Sequence, residues 1–198
     1  TYWRARKAAL LVDITWVDGP LANLDSEAIA ALQKTALKSE SGHIAMERGD
    51  VAVQETRGER LESIYSAPYT HHSPMEPQNA TAIVNGDNCE IWAPSQAPDM
   101  SQAVAAHYTG ITRSNIVVHA LTLGGGFGRR GYVDFIGEVV AIAQQIPGTA
   151  VKLVWSREDD MQHDFYRPAT MHGMTATLAE NGKIDSWQHR LVSPSIVK

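Results

Sequence analysis

The chain has 198 residues, 43% of them hydrophobic and 20% charged. That is enough for one substantial core or two small ones, and it excludes wholesale disorder. The net charge of −5 argues against a general nucleic-acid binder, which must neutralise phosphates. No apolar run approaches the roughly 18 residues of a membrane-spanning helix. The single cysteine, Cys89, excludes an internal disulfide and an iron–sulfur cluster held by this chain alone, which needs about four ligands.

The chain begins Thr1-Tyr2-Trp3-Arg4 with no signal-peptide pattern, and reads as a segment of a longer protein whose N-terminus is missing. Residues 9–17 read as a mostly buried strand closed by Asp18-Gly19-Pro20. Ser26 is placed to cap a helix carrying Ile29, Leu32 and Ala36, with Gly42 as its stop. Residues 43–60 read as a charged surface connection, and 61–65 as a strand. The stretch 66–77, with three prolines and the pair His71-His72, predicts a rigid, shaped loop.

Residues 79–85 and 88–93 alternate like paired strands around Gly86-Asp87. Pro98-Asp99 opens a helix with Met100, Val104 and His107 or Tyr108 on one face, ended by Gly110. A strand over 116–123 leads into the glycine-rich run Gly124 to Gly131, then a largely apolar helix over 133–146, and then a strand over 151–155. Residues 170–178 and 184–192 flank Asn181-Gly182, a strong hairpin signal. The pattern predicts an α+β fold with mixed sheets, packed helices, one internal βαβ unit over 116–155 and a C-terminal β-hairpin. Two parts are expected: residues 1–65, an N-terminal segment with one helix, and residues 66–198.

Five glycines in eight residues between a strand and a helix allow backbone to approach a ligand with free N–H groups; a ligand-free tight turn is the alternative. Gly126-Phe127-Gly128-Arg129-Arg130-Gly131 satisfies G-x-G-x-x-G, and Glu158 follows near the place of a ribose-binding acid. Against a dinucleotide site, Phe127 and two arginines crowd the loop, and no further βα unit follows. Gln96, between Pro94 and Pro98, holds an amide at a strand-to-helix junction, able to donate to an oxo group or simply to cap the helix. His71 and His72 point apart on an extended backbone, and no zinc spacing is present, so hydrogen-bonded structural roles are expected for them. His163 lies in a polar-aromatic loop suited to binding or packing.

Four segments resemble the molybdenum-cofactor subunits of the xanthine oxidase and aldehyde oxidoreductase family, and most nearly the isoquinoline 1-oxidoreductase beta subunit. They are His72-Ser73-Pro74-Met75-Glu76-Pro77-Gln78-Asn79-Ala80, Ile91 to Pro98, Gly124 to Arg130, and Trp155 to Pro168. The resemblance implies that residues 66–198 form the first molybdopterin-binding half-domain. It implies that a molybdenum bearing oxo, sulfido and hydroxide ligands and a pterin dithiolene oxidises an electron-poor carbon with water-derived oxygen. Molybdopterin or its cytosine dinucleotide is the implied cofactor. Gln96 would hydrogen-bond an oxo ligand, and Gly125, Gly126, Phe127, Gly128 and Arg129 would line the cofactor. His163 and Tyr166 would border the substrate channel.

Gly131 stands where purine oxidisers carry a substrate-binding carboxylate, which points to an N-heteroaromatic or aldehyde substrate. The family's catalytic glutamate lies beyond residue 198, so the isolated chain is expected to be inactive, to hold no cofactor tightly, and to expose an apolar patch. The implied partners are the remaining cofactor-binding domains of the same chain, a 2Fe-2S small subunit and a small-molecule substrate. The compartment, bacterial cytoplasm or periplasm, is not readable. A nicotinamide dinucleotide binder using Gly126–Gly131, or a non-catalytic interaction module, are the competing readings.

Overall fold

Alternation of apolar residues along 79–85 and 88–93 makes two strands that each bury one face. The computed structural model describes residues 1–51 and 58–196. Among them are helices α1 (Tyr2–Ala9) and α2 (Ser26–Lys38), and strands β1 (Glu59–Ala67), β2 (Asn79–Asn85) and β3 (Asn88–Ala93). Then follow α3 (Pro98–Thr109), β4 (Ile116–Ala120), α4 (Asp134–Gln144), β5 (Val151–Val154), α5 (Arg157–Gln162), β6 (Thr170–Leu178) and β7 (Ile184–Val192). The chain divides into two compact units, residues 1–12 with 71–166 and residues 13–70 with 167–198.

The first unit carries a four-stranded mixed sheet in the order β4-β3-β2-β5. Ala80, Ala82 and Val84 of β2 and Cys89, Ile91 and Ala93 of β3 are buried, every second residue as a one-sided sheet requires. Phe135, Ile136, Val139, Val140 and Ala143 of α4 complete this core, which also takes in Ala105 of α3 and Trp155. Burial pushes the Cys89 thiol up to about 11, so it packs as a small apolar group. The βαβ unit over 116–155 is present, but its strands β4 and β5 form opposite edges of the sheet. A tighter one, β3-α3-β4 with β3 and β4 directly parallel, was not read from the sequence.

The second unit is an antiparallel sheet in the order β1-β6-β7 with α2 against it. A Cβ on Gly173 would meet Leu37 at 3.3 Å, so this glycine lets the helix approach the sheet. The β6–β7 hairpin turns at Asn181-Gly182, with Gly182 at a positive φ of 76°.

Three local expectations are corrected. Residues 9–17 are not a buried strand: α1 ends at Ala9, Leu10, Leu11, Val12, Ile14, Trp16 and Val17 are exposed, and no strand pairs with them among the described residues. The cap of α2 is Asp25, which accepts from the Ala28 N–H at 2.8 Å, and the helix ends at Lys38, short of Gly42. On α3 the buried face is Ser101 and Ala105, while Met100 and Tyr108 are exposed. Small residues face inward there because Ser101 hydrogen-bonds Ser95 at 3.1 Å and α3 packs against α4. The surface connection expected over 43–60 falls partly on 52–57, outside the described residues.

Ile136 is fully buried in the α4 face of the core. Truncation to alanine is expected to cost about 2–5 kcal/mol of folding free energy, read by urea unfolding. A loss under about 1 kcal/mol would show that α4 is not packed on the sheet as described.

Candidate cofactor-binding site

After β4 the chain makes an irregular turn, Leu121 to Gly128, and a single 3-10 turn, Arg129–Gly131, before α4. Two of its glycines are required by the protein itself. A Cβ on Gly124 would lie 2.5 Å from the Glu76 Cβ, and one on Gly126 would lie 2.8 Å from the Gln96 amide. Thus the proline-rich loop at 72–77 and the 94–98 junction press directly into the glycine turn. Gly125 (φ +106°) and Gly128 (φ +96°) supply left-handed backbone. The N–H groups of Gly125, Gly126 and Phe127 donate no hydrogen bond among the described residues.

Two side chains join the neighbouring loops to this turn. The Glu76 carboxylate accepts from the Gly124 N–H at 2.8 Å and from Asn79 Nδ2 at 2.9 Å, while the Glu76 N–H donates to the Gly124 carbonyl at 3.1 Å. Burial raises the Glu76 pKa, but the Asn79 and Gly124 bonds and the Arg130 charge outweigh it and hold the carboxyl below its ordinary value. Gln96 accepts from the Gly128 N–H through Oε1 at 3.1 Å, and its own N–H donates to the Arg130 carbonyl at 2.9 Å. Its Nε2 donates no hydrogen bond among the described residues, and Gln96 as a whole is exposed. Gln96 does not cap the following helix: Ala97 is the N-cap, and the Ala97 N–H is taken by Ser95 Oγ at 3.0 Å.

Phe127 stands at the tip with φ +52°, a conformation costing a non-glycine residue roughly 1 kcal/mol or more, and its ring is mostly exposed. The ring passes within 3.0 Å of where a Gly125 side chain would start.

Beneath the turn lie two fully buried arginines. Arg130 donates to the carbonyls of Gly125 (3.0 Å), Pro94 (3.1 Å), Glu76 (2.6 Å) and Pro77 (3.2 Å), and pairs with the Glu76 carboxylate at 3.1 Å. One guanidinium therefore ties all three loops together. Burial pulls its pKa below the ordinary value, opposed by Glu76 and Asp160, while Arg129 adds to the lowering.

Arg129 makes a bidentate pair with Asp134 (2.9 and 2.8 Å) and an ion pair with Asp164 at 2.9 Å, with its guanidinium facing the rings of Trp155 and Phe165 at 5.4 and 5.2 Å. Its side chain therefore points inward, away from the open side of the turn. The Trp155 indole donates to Glu138 on α4 at 2.8 Å. His163, exposed, meets Trp155 edge-on at 5.4 Å. The Tyr166 hydroxyl donates to the Met161 and Gln162 carbonyls, at 3.0 and 3.1 Å, and so closes the end of α5.

The predicted residues Gln96, Gly125, Gly126, Phe127 and Gly128 thus meet at one turn. His163 lies edge-on to Trp155, and the Tyr166 hydroxyl is bonded at the end of α5. Sequence reading missed Glu76 and Arg130 as the groups that assemble the turn. The spacing of Arg129-Arg130 directly after a glycine run was the available signal. Glu158 does not sit beside the turn's strand, because β5 and β4 are separated by β3 and β2, unlike the adjacent strands of a dinucleotide fold.

Residues 36–195 match the model of the molybdopterin cofactor-binding domain. The chain belongs to that family. It is 33% identical over 144 residues to the isoquinoline 1-oxidoreductase subunit beta of Brevundimonas diminuta, covering 67% of this chain and 18% of that protein. It is 24% identical over 130 residues to the aldehyde oxidoreductase molybdenum-binding subunit of Escherichia coli K12, covering 66% of this chain and 18% of that one. In fold it resembles quinoline 2-oxidoreductase from Pseudomonas putida 86, at a TM-score of 0.62 and 18% identity over 71% of this chain and 18% of that chain. The chain therefore spans about a fifth of the length of these relatives.

The residues present fit the family's cofactor. The open side of the turn offers an amide donor and unbonded N–H groups. No group of three His, Cys, Asp or Glu is placed to hold a bare metal ion among the described residues, as suits a group that brings its own metal ligands.

Arg130→Ala is expected to cost more than about 3 kcal/mol, because four carbonyls and Glu76 lose their common partner. Arg130→Lys should recover only part, since an ammonium cannot span that fork. Chemical denaturation of both variants checks this, and an unaltered Arg130→Ala would contradict the clamp. Because the Glu76 pKa is lowered on folding, its contribution is present above about pH 4.5 and lost as pH falls through the folded value. Glu76→Gln should flatten the acid side of the stability profile. An unchanged acid limb would show that the carboxylate bonds carry none of it.

Proposed function

We propose that this chain is one cofactor-binding portion of a molybdenum-dependent oxidoreductase, which oxidises an aldehyde or N-heteroaromatic carbon with oxygen derived from water. The observation that carries this reading is the meeting of the Gln96 amide and the Phe127 ring at one glycine turn. When bound, the molybdopterin supplies the redox metal that takes up the substrate's electrons. The chain's own residues bind and orient. Gln96 Nε2 and the N–H groups of Gly125, Gly126 and Phe127, which bond nothing among the described residues, would hold the cofactor by donating to it. The Phe127 ring excludes water and shapes the approach of a flat substrate. Gly131, with no side chain to offer a carboxylate, favours substrates without the polar edge of a purine.

Arg129, buried in its ion pairs, positions the turn rather than touching the cofactor. The same holds for Tyr166, committed to the end of α5, while His163 borders the approach. The catalytic base and the rest of the pterin contacts come from other domains of the same polypeptide, and a 2Fe-2S subunit accepts the electrons. Leu61 and Tyr65 on β1 and Trp187 and Leu191 on β7 share one exposed sheet face by register. That face supports a reading in which the isolated chain is incomplete. Alone, it is inactive and retains no cofactor.

In the complete enzyme, Gln96→Ala should lower turnover about 10–100-fold while leaving the thermal melting curve in place. Wild-type turnover in the variant would sink the role given to the amide. The isolated chain, expressed alone, should contain far less than one molybdenum per protein by mass spectrometry. Stoichiometric metal would contradict the half-site.

A further inference from the structure

His72 is not explained by packing alone. Its N–H donates to Asp164 at 2.5 Å, and its Nδ1 lies 3.0 Å from the same carboxylate, whose side chain is 1% exposed. An ionised carboxylate only accepts, so Nδ1 carries the hydrogen. Asp164 is paired in turn with the Arg129 guanidinium, whose Nε lies at 2.9 Å without the alignment of a hydrogen bond, and Arg129 is held by Asp134. The ring therefore has one orientation and one assigned nitrogen, the arrangement by which a second carboxylate commonly aims an imidazole at a ligand.

The other nitrogen, Nε2, makes no hydrogen bond among the described residues. It is the nearest atom to the space a Gly128 side chain would fill, at 3.9 Å. The Gly128 N–H is held by Gln96 Oε1. Hence Gly128 is bonded by the amide of Gln96, and the free nitrogen of His72 borders the space a side chain there would take. A side chain on Gly128 would enter the gap before the imidazole.

We propose that His72 is a second binding residue of the glycine turn, whose Nε2 accepts a hydrogen bond from an N–H or O–H donor of the cofactor seated there. This rests on the molybdopterin reading above and adds a contact to it. Asp164 and Arg129 then serve as the positioning groups behind it, which gives the buried arginine a role in binding without contact.

The test uses the complete, cofactor-loaded protein and two variants that divide the imidazole. His72→Asn keeps a donor in the Nδ1 place and lacks Nε2; His72→Gln reaches the Nε2 place and lacks the Nδ1 donor. The readout is the rate at which molybdenum and pterin are lost on dilution, beside the melting temperature of the cofactor-free protein. One lost hydrogen bond predicts roughly three- to tenfold faster release for His72→Asn. His72→Gln should release more slowly than His72→Asn despite a lower melting temperature. A purely structural histidine gives the reverse order, and that order, or release of the wild-type kind from His72→Asn, overturns the proposal.

Independently of any variant, carbethoxylation of His72 in the wild-type protein, mapped by peptide mass spectrometry, should be slowed by bound cofactor and restored when it is stripped. Equal modification in both states overturns the proposal as well. A complete wild-type protein that carries no molybdopterin overturns the parent reading with it. A loaded wild type with an indifferent His72 overturns this inference alone.

Discussion

A single guanidinium holds the site together. Arg130 is fully buried and spends its donors on carbonyls from three separate loops. Carbonyls at loop ends have no ladder to pair with, and leaving them dry and unpaired is costly. A lysine offers donors from one point, whereas the arginine fork spreads them across a plane. The three loops are thereby joined through one side chain.

The glycines follow from the same constraint. Gly124 and Gly126 are small because Glu76 and Gln96 occupy the space where side chains would stand. The turn is crowded from behind by protein and left open in front. Phe127 sits at its tip in a left-handed conformation that only a well-braced loop sustains. Strain at the tip and clamping at the base occur together, so the aromatic ring and the amide are held by the same bracing.

Much of this was legible in the sequence where the signal is short-range. The hairpins at 79–93 and 170–192 depend on alternation and a turn of two to five residues. The glycine turn and the proline-flanked Gln96 depend on residues whose backbone limits are intrinsic. The arginines were not legible. Arg130 bonds partners 36 and 54 residues away, and His72 finds Asp164 at a separation of 92. No local pattern marks such pairs, so Arg129 read as a residue lining the cofactor and His72 as a structural residue. The misread segment at 9–17 shows the converse. It has the apolar run of a strand, but a strand exists only where a neighbour supplies its hydrogen bonds.

The most direct measurement is the crystal structure of the complete protein with its molybdenum cofactor bound. The account predicts the cofactor on the open side of the Gly124–Gly128 turn, with Gln96 Nε2 at hydrogen-bonding distance from one of its oxygens and Arg130 still bridging the three loops. A cofactor seated elsewhere, with the Gln96 amide turned to solvent, would contradict it.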